Sequence, residues 1–335
     1  MTTPHLSVVM VTWHPGPEFT LCLRSLAAAR RRVTAGLAVD LVVVDNASHS
    51  FPTAAIEEHW PDARVLRNPV NRGFGPAANQ GARQACAPVV LFLNPDTLAQ
   101  DDPFTPLVEG FEAHPEAVAL APRLADDDDV QNGAQASFQL RHLPGWGQAF
   151  RELLLVDQLF PRNRFRVRDR YLDRDRTAPF PVEQPAAAAL AVRGPVFGQC
   201  GGFDEQFSPA WFEDVDLCAR LAGFGALIYW PASTFRHQGG VSAERLGYDR
   251  FLPMYYTNAV RYWTKHRGRA SAAAYRVLVA AGMALRLAAL PCRRRLPRSR
   301  REAAGAYLGV LTRMCRTGST DRGRALSPPE KEIIP

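Results

Sequence analysis

Hydrophobic residues in the first hundred positions form short uninterrupted runs, which alternate with segments where they recur every three or four residues. The runs predict strands buried on both faces, and the spaced segments predict helices that cover them. Strands that alternate with helices favour right-handed crossovers and a mostly parallel sheet, which is an α/β fold. The predicted strands are 6–12, 41–46, 64–66 and 89–93, and the predicted helices are 18–32, 56–60 and 76–87.

The pattern changes after residue 100. Residues 101–175 have a less regular pattern, and a polar loop or short helix is predicted at 162–176. The apolar stretch 270–290 is interrupted by Arg276 and Arg286. The uncharged part is shorter than the roughly 20 residues that a membrane span needs, so an amphipathic helix is predicted. Residues 186–192 are small and apolar, a further strand is predicted at 226–230, and further helices are predicted at 212–222 and 251–266.

Charge is unevenly distributed along the 335 residues. Residues 261–335 hold 17 Lys and Arg but only 4 Asp and Glu, and six of the eleven residues 291–301 are arginine. A basic end on a mildly acidic body predicts contact with something anionic, and the acidic body argues against nucleic acid as the main partner. Two interpretations of 270–301 stay open. The segment either attaches to an anionic membrane surface or packs on the body and leaves a solvated basic tail.

The six cysteines are scattered singly along the chain. Their spacing suggests neither a zinc site nor a disulfide framework, and it favours reduced thiols in the cytosol. The first residues lack a basic segment followed by an apolar one, so no signal peptide is predicted. The expected location is cytoplasmic, with the inner face of the cell membrane as the alternative suggested by the basic C-terminal region.

One carboxylate follows the fourth predicted strand directly, in the turn Asn94-Pro95-Asp96. Open parallel sheets bind ligands at the carboxyl ends of their strands. A carboxylate there suits a hard divalent cation and, through the cation, a phosphate. The alternative is that these residues only form a good turn.

Two polar segments precede that turn. Asp45 ends the second predicted strand and can accept a hydrogen bond from a base or a ribose, although Asp45-Asn46-Ala47-Ser48 can also be only a turn or cap. Gly73 and Gly75 precede a predicted helix, where backbone amides favour anions. With Ala78 they match the GxGxx[GA] dinucleotide fingerprint, which keeps an NAD(P)-dependent oxidoreductase as the alternative function. The fingerprint belongs after the first strand of its unit, however, and this loop does not follow that strand.

Three acids lie within four residues at Glu213, Asp214 and Asp216. Mutual repulsion in such a cluster raises the pKa of at least one carboxyl group, which suits a general base. The alternative is a helix N-terminus, where acids complement the dipole. His237 follows a predicted strand and is a candidate metal ligand, with a structural role as the alternative.

Seven segments between Leu6 and Ser242 together resemble glycosyltransferase family 2, most closely its bacterial rhamnosyltransferase-like branch, which builds cell-wall and surface polysaccharides. The resemblance implies a GT-A fold with a C-terminal helical extension. It also implies inverting transfer of a sugar, with rhamnose one candidate, from a dTDP- or UDP-linked donor to a hydroxyl of a lipid-linked or cell-surface glycan. The segments are Val-Val-Met-Val-Thr-Trp, Val-Val-Asp-Asn-Ala-Ser, Asn-Arg-Gly-Phe-Gly with a following Ala-Asn, Leu-Asn-Pro-Asp-Thr, Gly-Gly-Phe-Asp-Glu, Glu-Asp-Val-Asp-Leu-Cys-Ala-Arg and His-Gln-Gly-Gly-Val-Ser.

The same resemblance implies roles for individual residues. Asp214 would be the catalytic base, with Asp216 as the alternative and Glu213 beside them. A divalent metal, Mg²⁺ or Mn²⁺, would be held by Asp96 and His237. Asn94 stands where many relatives carry a first metal-binding acid, which weakens the expectation that the metal is required. The implied nucleotide-sugar-binding residues are Thr12, Trp13, Asp45, Asn71, Gly73, Asn79, Asn94 and Asp96.

The predicted organisation has three parts. Residues 1–245 form the glycosyltransferase domain, in which 1–100 bind the nucleotide sugar and 101–245 build the acceptor half. Residues 246–316 form a C-terminal helical region, which associates with a membrane under the first interpretation above. Residues 317–335 are predicted to be a disordered tail.

Overall fold

A computed structural model describes residues 5–125, 138–237, 247–292 and 299–315. Its strands are β1 Leu6–Thr12, β2 Val39–Asp45, β3 Arg64–Arg67, β4 Val89–Leu93, β5 Thr97–Ala99, β6 Ala117–Ala125, β7 Leu140–Arg141, β8 Phe180–Pro181, β9 Gln184–Pro185, β10 Ala189–Arg193 and β11 Ala226–His237. Its helices are α1 Pro17–Arg30, α2 Thr53–His59, α3 Phe74–Ala82, α4 Phe104–Ala113, α5 Trp146–Leu153, α6 Val156–Leu159, α7 Arg164–Asp169, α8 Gly194–Gln199, α9 Glu213–Leu221, α10 Tyr248–Ala289 and α11 Arg300–Cys315.

The first half of the chain forms the parallel part of the sheet. β3, β2, β1 and β4 lie side by side in that order and all run in the same direction. Alternate residues of the strands face opposite cores: Val8 and Met10 pack in one cluster and Val9 in the other. The sequence predicted β1, β2 and β4 from their two apolar faces, and it predicted β3 as a short strand beside them.

The second half extends the same sheet with mixed directions. β10 lies between β4 and β6 and is antiparallel to both, while β11 is parallel to β6 and antiparallel to the short strands β5 and β8. The α/β fold class is confirmed, and the mostly parallel arrangement holds for the first four strands. The less regular region 101–175 contains α4, β6 and the three helices α5–α7, and α7 is a short helix within the predicted segment 162–176.

Helices cover both faces of the sheet. α1, α2 and α4 contribute Phe19, Trp60 and Phe104 to one core, and α3, α8 and α9 pack on the other face. This two-sided covering removes the apolar strands from water and leaves the strand ends as the exposed polar rim.

The C-terminal helices form a third apolar cluster with α5 and the start of α9. α10 is interrupted at Gly268, whose φ of +83° and ψ of +167° lie outside the helical region. An 18-residue window of α10 has a mean hydropathy of 1.4 and passes as a membrane span by length and composition, but 39% of that window is buried within the protein. A core helix passes the same test, and packing on the body is what the described residues display. The predicted boundary at 245 and the predicted tail at 317–335 lie outside the described residues.

Candidate active site

The carboxyl ends of β1 and β2 bring two predicted site residues together. Thr12 pairs with Asp45 in the strand register, and the Asn46 N–H donates to the Thr12 carbonyl over 2.8 Å. The Thr12 hydroxyl is buried and has no hydrogen-bond partner among the described residues. Trp13, in the loop that follows, is about half exposed. A ligand at this corner could therefore contact the buried Thr12 hydroxyl and the exposed Trp13 ring.

Asp45 is fully buried at this corner. One carboxylate oxygen accepts from the Ser48 N–H over 3.0 Å, and the other accepts from the Arg67 guanidinium over 3.0 Å. Asp45 thus fixes the loop after β2, as the turn interpretation expected, and it presents the exposed Arg67 at the rim. A contact between Asp45 and the base of the nucleotide stays a prediction.

Asn46 holds the glycine loop against the end of β2. Its amide nitrogen donates to the Gly73 carbonyl over 3.1 Å and to Asn71 Oδ1 over 2.9 Å. Its amide oxygen accepts from the Arg72 N–H and from Asn68. Asn71 and Gly73 are therefore next to Asp45 in space, although they come from different loops.

Gly73 has a backbone that other residues rarely adopt, with φ +86° and ψ +168°. A Cβ at this position would lie 2.8 Å from the Pro209 carbonyl oxygen and 2.9 Å from Ser208 Oγ. The neighbouring Phe74 N–H donates to the same carbonyl over 2.7 Å. The glycine here permits close approach of the 208–209 loop, which leads to the acidic cluster.

We expect Gly73→Ala to reduce the free energy of unfolding by about 3 kcal/mol or more, from backbone strain and overpacking together. Gly36→Ala is the matched control, because Gly36 also has a positive φ but nothing lies within 4 Å of an added Cβ. Gly36→Ala should reduce the free energy of unfolding by about 1–2 kcal/mol, because it adds backbone strain but no steric overlap. Urea denaturation of both variants measures the difference, and equal losses would contradict the packing argument.

Asn79 lies apart from this group. Its amide donates to the Phe203 carbonyl over 2.9 Å and accepts from the Phe203 N–H over 2.8 Å. It lines a cavity of about 980 Å³ together with Arg83 and Arg220, near the start of β4 rather than its end. The side chain ties α3 to the loop before α9, and its assignment to nucleotide-sugar binding stays a prediction with no contact here to support it.

Asp96 and His237 meet at the next corner of the rim. Thr97 pairs with His237 in the register of β5 and β11, and His237 Nε2 lies 3.2 Å from Asp96 Oδ1. Both side chains are buried, and Asp96 Oδ1 accepts no hydrogen bond from the described residues. Such a buried acceptor suits a cation.

This pair fits a divalent metal that is shared with a substrate. Mg²⁺ is commonly held by one or two carboxylates plus phosphates and water, and imidazole also binds transition metals. Within the described ranges, no group of three or more His, Cys, Asp or Glu side chains surrounds a common point. Among the described residues, Asp96 and His237 would leave most coordination positions of a cation to other ligands, such as phosphate oxygens or water.

The acidic cluster sits on a strained turn at the start of α9. Trp211 and Phe212 have φ of +71° and +73°, which is uncommon for bulky residues. The fully buried Asn258 of α10 donates to the carbonyls of Ala210 and Trp211 over 2.8 and 3.0 Å. α10 thereby holds the turn that presents Glu213 and Asp214.

Burial raises the pKa of both adjacent acids. The pKa of Glu213 is well above its ordinary value because of burial and the neighbouring Asp214 charge, and Glu213 Oε2 has no hydrogen-bond partner among the described residues. The pKa of Asp214 is raised by burial, which the Val215 N–H and the Arg141 charge partly offset. Asp214 is the less enclosed of the two. A partly accessible carboxyl group with a raised pKa suits a general base.

One short segment links the base candidate with the metal candidate. The Asn94 N–H donates to the Ala188 carbonyl over 2.9 Å, and the adjacent Ala187 N–H points to Asp214 Oδ2 over a long 3.5 Å. Asp214 and the turn that carries Asp96 therefore both contact residues 187–188, at the end of β10 that neighbours the end of β4.

Asp216 is placed differently from its two neighbours. It is fully buried and contacts three basic side chains: Arg220 Nε at 2.8 Å, His266 Nε2 at 2.7 Å and Lys265 Nζ at 2.8 Å. These contacts join α9 to α10. The geometry gives Asp216 a structural role and argues against it as the base.

Sequence reasoning missed the charged and polar side chains that surround Asp214. Arg141 on β7 pairs through its strand with β9, which packs on α9, and its charge acts on Asp214. Burial and the nearby Arg170 lower the pKa of Arg141. Tyr255 on α10 lies within electrostatic reach of Asp214, Arg141 and the ion pair Glu152–Arg170. Arg141 lies on a two-residue strand in a region without a clear hydrophobic period, so the sequence pattern could not place it near Asp214.

Comparison with known proteins identifies relatives of this arrangement. The sequence profile described as glycosyl transferase family 2 matches residues 7–175. N-acetylglucosaminyl-diphospho-decaprenol L-rhamnosyltransferase from two strains of Mycobacterium tuberculosis is 31% identical over 256 residues, covering 72% of this chain and 79% of that protein.

Solved structures of low sequence identity share the fold. The mannosyltransferase PcManGT from Pyrobaculum calidifontis, in complex with GDP-Man and Mn²⁺, superposes with a TM-score of 0.51 at 15% identity, covering 92% of this chain and 86% of that one. GalNAc-T7 with UDP, GalNAc and Mn²⁺ gives a TM-score of 0.51 at 17% identity over 76% of this chain and 47% of that one.

Proposed function

Since the chain belongs to glycosyltransferase family 2, we propose that it transfers rhamnose, with inversion, from a nucleotide diphosphate donor to a hydroxyl of a lipid-linked glycan. The GT-A fold and the glycosyltransferase activity predicted from the sequence are confirmed. The NAD(P)-dependent oxidoreductase alternative is not supported, and the glycine loop on which it rested follows β3 rather than β1.

The donor and acceptor classes come from the relatives. The mycobacterial relative is named for rhamnosyl transfer to an N-acetylglucosaminyl diphospho-decaprenol, which supports rhamnose as the sugar and a polyprenyl diphosphate glycan as the acceptor. A dTDP-linked donor is the first choice and a UDP-linked donor the second. An acceptor of this kind resides in a membrane, which supports action at the cytoplasmic face of the cell membrane.

The observation that carries the proposal is that the turn of Asp96 and the side chain of Asp214 both contact residues 187–188. The Asp96–His237 pair suits a cation and diphosphate, and Asp214 has the raised pKa of a base. In this proposal Thr12, Trp13, Asp45, Asn71, Gly73 and Asn94 surround the nucleotide sugar. Residues 1–100 form the donor half, 101–245 the acceptor half, and 246–316 a helical support.

The mechanism follows from these positions. Asp214 removes the proton from the acceptor hydroxyl, and the oxygen attacks the anomeric carbon on the face opposite the diphosphate, which inverts that centre. Glu213 beside it is more deeply buried, and its own pKa is raised by burial and by the Asp214 charge. A bound divalent cation would supply positive charge for the leaving diphosphate at Asp96 and His237. The burial of Asp96 and His237 limits the access of water to the reacting groups.

A donor screen tests the function. The melting temperature should rise by several degrees with dTDP or UDP plus Mn²⁺, and it should not change with NAD or NADP. Binding at 100 times the Kd stabilises a fold by about 2.7 kcal/mol, which makes such a shift measurable. A response to NAD or NADP that needs no metal would overturn the proposal.

Asp96→Asn tests the metal site separately. We expect the Mn²⁺-dependent part of the thermal shift to disappear, because the buried carboxylate that would hold the cation is replaced by a neutral amide. Asp62→Asn is the control, since Asp62 lies in an exposed ion pair with Arg30. Titration calorimetry of nucleotide with and without Mn²⁺ measures the effect, and an unchanged metal dependence would remove Asp96 from the site.

A further inference from the structure

Exposed apolar side chains are concentrated in one short part of the chain. Six of the fourteen large hydrophobic residues that are exposed in the described structure lie between residues 150 and 165. Large exposed apolar patches on soluble folds mark interaction surfaces. We call this patch the 150–165 face, and its members are Phe150, Leu154, Val156, Leu159, Phe160 and Phe165.

The face is presented by a fixed support. Leu153 of α5 is buried against α10, and Arg286 of α10 donates to the carbonyls of Leu153 and Glu152 over 2.6 and 2.7 Å. Arg151 forms ion pairs with Asp157 and Asp169, which tie α5 to α6 and α7. The apolar side chains therefore point outward from an anchored set of short helices.

Basic side chains surround the apolar ones. Arg162, Arg164 and Arg168 are exposed and Arg166 is half-buried, and none of the four forms an ion pair within the described part of the chain. The Arg164 guanidinium lies 4.8 Å from the Phe165 ring centre. Aromatic and aliphatic groups mixed with unpaired arginines match the chemistry of an anionic lipid surface, where the rings enter the interface and the cations meet headgroups.

The helices that carry the face also contact the elements that position Asp214, because α5 packs on α10 and Asn258 of α10 holds the turn before Asp214. The Glu152–Arg170 ion pair joins α5 to the end of α7, and Tyr255 lies within electrostatic reach of both that pair and Asp214. We propose that the 150–165 face docks on an anionic membrane and delivers the head of a lipid-linked acceptor to Asp214. This inference rests on the proposed function for the acceptor but not for the donor.

Matched phenylalanine variants test the docking face. Phe160 is 65% exposed within the face, and Phe224 is 48% exposed in the loop after α9, outside it. Co-sedimentation with phosphatidylcholine vesicles containing about one-third phosphatidylglycerol should show about tenfold weaker binding for Phe160→Asp and no change for Phe224→Asp. Leu159→Asp combined with Phe160→Asp should weaken binding further.

The arginines provide the second measurement. Arg162→Gln with Arg164→Gln should weaken binding to the anionic vesicles by about fivefold for each arginine. The same pair should leave the weak binding to pure phosphatidylcholine unchanged. Arg293→Gln, Arg294→Gln and Arg295→Gln together test the basic C-terminal region as the competing attachment. Loss of binding in that triple variant, with Phe160→Asp binding like the unchanged protein, would overturn the proposal.

Activity assays separate this inference from the proposed function. Phe160→Asp should keep transfer to a short soluble acceptor and lose transfer to a vesicle-embedded one. No transfer to either acceptor by the unchanged protein would count against the function, whereas equal use of both by Phe160→Asp would count against the docking face. A change of oligomeric state in Phe160→Asp, measured by size-exclusion chromatography, would assign the face to a protein contact and overturn the proposal.

Discussion

Asp214→Asn is expected to lower the rate of sugar transfer by about 10²–10⁴, the usual contribution of a general base. The amide can still accept a hydrogen bond from the Val215 N–H, which donates to Asp214 over 2.8 Å. Donor binding should therefore stay close to that of the unchanged protein. Steady-state kinetics should show the loss in kcat rather than in the KM for the donor, because the interaction is made in the transition state.

The pH dependence gives a second check on Asp214. Its pKa in the folded protein is raised above the ordinary value of 3.8. Between these two values the folded state binds more protons than the unfolded state, so the stability contribution of this group falls as the pH rises. At neutral pH the charged group is thus unfavourable for folding, and the asparagine variant should melt at the same temperature or higher. The acidic limb of the rate profile should rise through that raised pKa in the unchanged protein.

Glu213→Gln is the control for this assignment. Its carboxyl group is more enclosed and also has a raised pKa, so it would share the expected gain in melting temperature. Transfer should persist in this variant if Asp214 is the base. Collapse of transfer in Glu213→Gln, with activity retained in Asp214→Asn, would reverse the two roles.

Asp216→Asn is expected to act on stability instead of chemistry. The carboxylate is fully buried and contacts Arg220, Lys265 and His266. Removing one side of a buried ion pair commonly costs about 3–5 kcal/mol because charge is left uncompensated. The three basic groups keep partial contact with water, so we expect the lower part of that range, about 3 kcal/mol.

Urea denaturation measures this loss, with an exposed pair as the comparison. Asp62→Asn breaks the bidentate pair of Asp62 with Arg30, in which both side chains are at least a third exposed. That change should cost at most about 1 kcal/mol. Transfer per folded molecule should remain in Asp216→Asn. A stable but inactive Asp216→Asn protein would make Asp216 the base and contradict the structural role.

The parallel strands were predictable because both of their faces are apolar, but α4 was not. Phe104, Leu107 and Phe111 have helical spacing, yet Pro106 and Gly110 among them lower the helix propensity. The structure explains the glycine, because a Cβ at Gly110 would lie 2.8 Å from both Leu120 and Trp230. Close packing against Leu120 and Trp230 thus requires glycine at position 110, although glycine lowers the helix propensity of this segment.

The candidate site was predictable where strand ends fixed it. Asp96 and His237 were expected near each other, and the β5–β11 pairing places them 3.2 Å apart. The partners of Asn79 and Asp216 were not predictable, because Phe203 and His266 lie 124 and 50 residues away along the chain. A residue's type and local neighbours do not reveal such partners, and these two residues hold loops and helices together.

The position of β10 between β4 and β6 has a consequence for how the polypeptide is made. Residues 94–188 separate β4 from this neighbour, so a nascent chain that ends before β10 carries the wholly apolar strand Val89–Leu93 with one edge unpaired. Unpaired apolar edges recruit other chains. Residues 1–100 expressed alone are therefore expected to aggregate rather than to form a separate donor module.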